Sequence, residues 1–370
     1  MKLLIVGSVG THFLTELAQR LESDDNEVYI LDFTTLQLTH KKQTDEIYAN
    51  LLKHYSRIKF VDRIVRPLLI NKILQKYDFD MVNFQFLYWH YIFCIRTFFK
   101  IKTKVFFTIF GSDFYRAGVI KRHGIYPEIL KQSSGIIFTN EKTKEDFQHM
   151  YQQLKKIKKY VCRLGLPALE YIDRNRKNKE SIYTYFSLPR EKTIVTVGYN
   201  LTKEQQHIKA IDAIECLKSE QKARLHVLFP LTYGGNSAYL QEIQTYLRNN
   251  ATFSYTIFTA YMGHDEISKL RLVSDVMINI LKTDQFSGSM QEHLYANSVV
   301  IAGNWLPYET MLDTGIYMQG IDSVEELPEV LSEVLEHMDI FKQRCKNNAK
   351  YVAQLSSWGS VISCWKDIFR

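Results

Sequence analysis

The chain has 370 residues, 46% hydrophobic and 24% charged, with 47 Lys and Arg against 40 Asp and Glu for a formal net charge of +7. That length exceeds one compact core and fits two domains of ordinary size, and the composition excludes disordered and fibrous classes. The five cysteines, Cys94, Cys162, Cys216, Cys345 and Cys364, form no CxxC pair. Neither a disulfide framework nor a zinc ribbon is indicated, and free, mostly buried thiols in a reducing cytoplasm are expected.

The opening "MKLLIVGSVG" has too short an apolar run for a signal peptide, and no small-residue cleavage site follows, so it reads as a first buried strand. "GSVGTHFLTEL" then enters a helix marked by Leu14, Leu17, Ala18 and Leu21. Gly7 and Gly10 let the backbone turn tightly, and the helix amino end can face an anion. The loop is not GxGxxG, and a plain strand–helix turn is the alternative. Between residues 51 and 77, Lys53, Arg57, Lys59, Arg63, Arg66, Lys72 and Lys76 stand against one acid, Asp62, with apolar residues interleaved. Such a stretch rests on an anionic membrane or is the solvated face of an ordinary helix pair. None of the usual nucleic-acid motifs is present, so no nucleic-acid partner is expected. The aromatic run at residues 81–95 is broken by Asn83, Gln85 and His90 and is too short to span a bilayer.

Strand-like runs recur in two sets. The first is "KLLIVGS", "EVYILDF", "MVNFQF", "KVFFTIF", "GIIFTN" and "YVCRLG"; the second is "TIVTVGY", "ARLHVLFPL", "FSYTIF", "VMINI", "VVIAG" and "IYMQG". Continuous apolar runs indicate strands buried on both faces, hence parallel sheets. Helical spacing falls between them, as in Ile208, Ile211 and Ile214, or Ile267, Leu270 and Val273. The pattern predicts an α/β protein of two doubly wound, Rossmann-like domains facing a cleft. The first spans residues 1–165 and the second residues 190–345. Residues 346–370, with Trp358 and Trp365, form a helical segment expected to pack back towards the first domain.

Ligands of doubly wound sheets sit beyond the carboxyl ends of the strands, so the loops there carry the candidates. "TIFGSDFYRAG" offers Gly111, Ser112 and Asp113, with a helix cap as the alternative. In "VGYNLTKEQQHIKAI", Lys203 stands beside a helix amino end and Asn200 supports it, an arrangement suited to a diphosphate; a solvated lysine is the alternative. "FTAYMGHDEISKL" places Tyr261, Met262 and Gly263 before a helix read as capped by Asp265, where an aromatic and open backbone suit a flat base. In "LKTDQFSGSMQEHLYAN", Gly288 keeps the loop small and Ser287 and Ser289 are cap candidates. Glu292 is read into the first helical turn and Asp284 into the loop, two carboxylates placed to accept hydroxyls of a sugar and a ribose. No metal-binding DxD triplet is read, so no metal is expected.

An acid, seven residues, a Glu and a helix running into "VVIAG" resembles the donor-binding signature of glycosyltransferase family 4, of the GT-B fold. "GSDFYR" is similar to the first-domain loop of bacterial polysaccharide members, and "FTNEKTKEDF" to their strand and helix before the linker. The order of "GYN", "PLTYGG", "AYMGHDEI" and the Glu292 segment is similar to that of bacterial 4-acetamido-4,6-dideoxygalactose (Fuc4NAc) transferases. The resemblance implies a metal-independent hexosyltransferase without cofactor. The sugar would move from a nucleotide-sugar, expected to be UDP-linked, to a hydroxyl of a lipid-linked or oligosaccharide acceptor. It further implies retention of configuration and a role in capsule or cell-envelope polysaccharide synthesis, in the cytoplasm at the inner face of the membrane. Asp284 is expected near the donor sugar, Glu292 at the ribose, Lys203 and the amides near Ser289 at the diphosphate, and Asp113 at the acceptor or sugar. Asp284 stands where the family usually has Glu, and Phe110 where a His often stands. These departures motivate one alternative, a non-catalytic GT-B partner of an active transferase; a second is a nucleotide-sugar epimerase of the same fold, against which the Asp284–Glu292 loop argues.

Overall fold

The computed structural model describes residues 1–8, 12–23, 25–41, 43–45, 61–100, 102–284 and 286–370. The chain divides into two compact units, one of Met1–Gly165 with Trp358–Arg370 and one of Leu166–Ser357. Gly10 and the basic residues Lys53, Arg57 and Lys59 lie outside the described residues.

The first unit is built on an eight-stranded sheet among the described residues. Its strands are β1 (Lys2–Gly7), β2 (Glu27–Asp32), β3 (Leu38–His40), β4 (Gln43–Asp45), β5 (Met81–Gln85), β6 (Lys104–Ile109), β7 (Gly135–Phe138) and β8 (Lys158–Val161). Their spatial order is β4-β3-β2-β1-β5-β6-β7-β8. β1 shows why the sheet is covered on both faces. Leu4 and Val6 enter one apolar core, while Leu3 and Ile5 enter the other with Leu14, Leu17, Ala18 and Leu21 of the helix His12–Leu21. Six strands run parallel, and β3 and β4 add an antiparallel hairpin at the β2 edge. The sequence reading missed that hairpin because "LTH" and "QTD" are three residues each and carry no apolar run.

The terminal helix Trp358–Ile368 belongs to this unit and buries Trp358, Val361, Trp365 and Ile368. Trp365 Nε1 donates to the Arg163 carbonyl at 2.8 Å. Cys162 and Cys364 are joined in a disulfide, which corrects the expectation of five free thiols; Cys94, Cys216 and Cys345 are free. Gly165 lies against the Trp358 ring, 2.3 Å from where a Cβ would stand. A buried indole cannot yield that space, so Gly165→Ala is expected to lower stability by about 1–3 kcal/mol through overpacking. Urea denaturation followed by Trp fluorescence measures it, and an unchanged midpoint would show the helix free to shift.

The second unit holds a six-stranded, fully parallel sheet among the described residues: β9 (Thr193–Val197), β10 (Leu225–Pro230), β11 (Ser254–Phe258), β12 (Val276–Asn279), β13 (Val299–Gly303) and β14 (Gln319–Ile321), in the order β11-β10-β9-β12-β13-β14. Alternate residues again feed two cores, Val195 and Ile278 to one and Ile194 and Met277 to the other. The helices Pro167–Asn175 and Lys179–Tyr185, from the polar stretch between the two strand sets, sit in this unit. The chain builds outward from β9 to β11, then restarts beside β9 with β12. β9 and β12 therefore flank the point where strand order reverses, and the crevice beyond their carboxyl ends is where such sheets bind ligands. Among the described residues no helix is long and apolar enough to cross a membrane.

Candidate functional site

The loops leaving β9 and β12 meet at that reversal point. The β12 exit loop leads into the helix Gly288–Tyr295, whose N-cap is Ser287, with Oγ accepting from the Met290 amide at 3.4 Å. Asp284 shapes the loop ahead of it: Oδ2 accepts from the Ser287 amide at 3.0 Å and from the Tyr308 hydroxyl. The Asn279 side chain donates to the same Tyr308 oxygen at 3.1 Å. Burial, with the Asp284 carboxylate next, pushes the Tyr308 phenol far above its ordinary pKa, so it stays a hydrogen-bond donor to Asp284. Tyr199, from the β9 exit, is raised for the same two reasons.

Glu292 is the fifth residue of this helix rather than part of its first turn, because the helix begins at Gly288. Its Oε2 pairs with Arg271 Nε at 3.2 Å, with the Arg271 side chain 1% exposed and the Glu292 side chain 12% exposed. Arg271 uses its other nitrogens on the same helix: Nη2 donates to Ser289 Oγ at 2.9 Å and Nη1 to His293 Nε2 at 3.1 Å. His293 is buried, and burial followed by the Arg271 charge holds its pKa well below the usual value. The neutral ring accepts from Arg271 at Nε2 and donates from Nδ1 to Ser298 Oγ, which donates to the Ser274 carbonyl. Burial raises the Glu292 pKa, and Arg271 opposes that shift. Arg271 and Tyr308 were missed by the sequence reading.

Other candidates gather nearby. The Asn200 side-chain oxygen accepts from the Thr202 amide at 2.9 Å and the Thr202 hydroxyl at 2.8 Å, fixing the turn after β9. Gly198 begins that turn at φ +62°, where a side chain would be strained and would meet Gln205. The Tyr233 phenol, raised mainly by burial, lies within electrostatic reach of Arg271, Asn200, Glu292 and Tyr261. Tyr261 is 63% exposed, and Met262 packs at the edge of the apolar core. The helix His264–Val273 has Gly263 as its N-cap, with Glu266 accepting from the Gly263 amide at 3.3 Å. Asp265 pairs with Lys269 and Asn175 instead of capping. Lys203 is exposed, pairs with Glu242 at 3.7 Å and lies over the Tyr239 ring. Among the described residues, no hydrogen bond or ion pair joins it to the Asp284–Glu292 group.

Two candidates lie in the first unit. Gly7 packs under Leu14, 2.4 Å from where a Cβ would stand. Asp113 is buried, and its Oδ1 accepts from the Phe110 and Gly111 amides at 3.0 and 2.9 Å while Oδ2 accepts from the Leu87 amide at 2.8 Å. It thereby latches the β5 exit to the β6 exit. Those bonds oppose the burial that raises its pKa. Beside it, Ser8, Phe13, Gln85, Phe86, Phe110 and Ser112 line a cavity of about 250 Å³ at the carboxyl ends of β1, β5 and β6. Asp78, Phe79 and Asp80 do form a D-x-D triplet, which corrects the sequence reading. It stands at the amino end of β5, away from these loops, with Asp80 accepting from the Lys2 amide at 2.7 Å.

No family model and no curated protein matches the sequence. Solved structures do match it along its whole length. A glycosyltransferase from Rickettsia africae has a TM-score of 0.72 at 15% identity, covering 100% of this chain and 97% of that one. Sucrose-phosphate synthase from Thermosynechococcus elongatus has a TM-score of 0.69 at 11% identity, covering 100% and 98%. HepE from Anabaena, solved in complex with UDP and glucose, has a TM-score of 0.67 at 11% identity, covering 100% and 99%. The chain is thus similar to glycosyltransferases of the GT-B class, and it has their fold: two parallel α/β sheets with helices.

Proposed function

We propose that this protein transfers a sugar from a nucleotide-sugar to a hydroxyl acceptor, with the donor held in the second unit. The observation that carries the reading is the Asp284–Glu292 pair around the Ser287-capped helix, at the strand-reversal point of a glycosyltransferase-type fold. The helix amides and their dipole offer partial positive charge to a diphosphate. Arg271 occupies Oε2 of Glu292, and Oε1 takes a ribose hydroxyl. Asp284 orients the donor sugar, and Tyr233 and Tyr261 offer faces to the base. In the reaction the bond from the anomeric carbon to the diphosphate oxygen breaks, and its electron pair leaves with the diphosphate. The acceptor oxygen bonds to the same carbon and gives its proton to the departing diphosphate, consistent with retention. The donor is a UDP-sugar, in keeping with the UDP held by the Anabaena neighbour. The acceptor is lipid-linked, in polysaccharide synthesis at the cytoplasmic membrane face. In the basic stretch, the helix Val61–Lys76 leaves Ile64 and Leu68 exposed four residues apart for an anionic membrane.

The reading is tested by thermal shift with UDP and by release of UDP from UDP-sugars. A ligand at 100 times its Kd stabilises by about 2.7 kcal/mol. Lys203 is 68% exposed and can leave Glu242 for the diphosphate, so Lys203→Gln is expected to weaken UDP binding several-fold and uridine binding little. Equal loss for both would detach Lys203 from the diphosphate, and no response to any nucleotide would sink the reading. The internal engagement of Asp113 and Asp284 favours a second reading, a non-catalytic partner of an active transferase. It predicts nucleotide binding without turnover.

A further inference from the structure

We infer that residues 116–124 of the first unit form a membrane-docking projection that places Val119 and Ile120 into the interface of an anionic bilayer. The inference rests on the membrane contact proposed above and gives it a second element. Val119 is 74% and Ile120 is 80% exposed, more than any other large hydrophobic side chain among the described residues. Single exposed aliphatic residues are ordinary on a protein surface; here two adjacent ones share a segment whose other outward side chains are basic. The flanking glycines stand clear as well: a Cβ at Gly118 or Gly124 would meet nothing within 4 Å.

The projection is held from below. Arg122 turns inward, donating to the Tyr115 carbonyl, and the Tyr151 hydroxyl donates to the Arg122 carbonyl at 2.6 Å. Its neighbours Arg116, Lys121 and His123 face outward. No acidic residue stands between Phe114 and Pro127. Aliphatic tips with cations at their flanks match the layering of an anionic interface, with apolar boundary inside and negative headgroups around it. A protein partner fits less well. A stable protein interface takes about 20–30 residues a side, and this projection offers nine residues and two aliphatic side chains.

The test is co-sedimentation of the full chain with vesicles of phosphatidylcholine alone or mixed with phosphatidylglycerol, at low and high salt. Wild-type protein is expected to bind the mixed vesicles at low salt and to leave them at high salt. Val119→Ser/Ile120→Ser is expected to reduce binding about tenfold or more, with the thermal response to UDP unchanged. Both positions are exposed, so the variant folds. If this variant binds like wild type while Ile64→Ser/Leu68→Ser is lost from vesicles, the projection is not the docking element and the membrane reading stands on the helix. Failure of wild-type protein to bind either vesicle overturns the inference and the membrane contact together. Self-association of the wild type that the variant abolishes would overturn it in favour of a protein contact. The UDP response bears on donor binding separately from each of these arms.

Discussion

Arg271→Leu is expected to lower stability by about 3–5 kcal/mol, because it leaves Glu292 buried without its charged partner. The guanidinium holds three groups of one helix, Ser289, Glu292 and His293, and a leucine replaces none of those bonds. Lysine is a poor substitute, since one ammonium cannot reproduce the planar fork that reaches all three. Glu292→Leu is also expected to destabilise, since it strands a permanently charged Arg271 that is 1% exposed. Arg271→Leu/Glu292→Leu removes both charges and is expected to recover part of the loss, as buried pairs replaced together often do. Urea denaturation of the four proteins measures the coupling. A cost below about 1 kcal/mol for Arg271→Leu would mean the pair behaves as a surface bridge. For donor binding the consequence is that Glu292 cannot be probed by truncation: nucleotide affinity must be read on Glu292→Gln, which keeps the volume and a hydrogen bond to Arg271.

The strands were legible because both faces are buried. Runs such as "KLLIVG" and "VVIAG" are apolar without alternation, as parallel strands between two helix layers must be. The candidate loops were legible because a doubly wound sheet confines them to strand exits. Arg271 was not, although a signal was present. It follows Ile267 by four residues and so falls on the inward stripe of its helix, a charge between Leu270 and Leu272. The sequence cannot say which partners justify such a charge, since Ser289 and Glu292 arrive from a later element. Asp113 and Lys203 show the converse limit. Residue type and loop position suggested ligand contacts, but not that three backbone amides also hold Asp113 and that Lys203 rests on Glu242.

Breaking the Cys162–Cys364 bond is expected to cost about 2–4 kcal/mol, towards the upper end because it closes 202 residues of chain. No spacing rule finds such a pair. Cys162 follows β8 and Cys364 lies in the terminal helix, and the fold brings their Cα atoms to 5.8 Å. The native helix does not depend on the bond for its place, since Trp358 and Trp365 are buried and Trp365 is tied to Arg163. The effect therefore acts through the unfolded chain, which the crosslink denies a large share of its conformations. Reductant is expected to lower the Tm of the wild type and to leave that of Cys162→Ser/Cys364→Ser unchanged. Alkylation after denaturation should label Cys94, Cys216 and Cys345 without reductant and all five cysteines with it. If all five react without reductant, the two thiols are reduced in the isolated protein, and packing of the two tryptophans alone holds the terminal helix on the first unit.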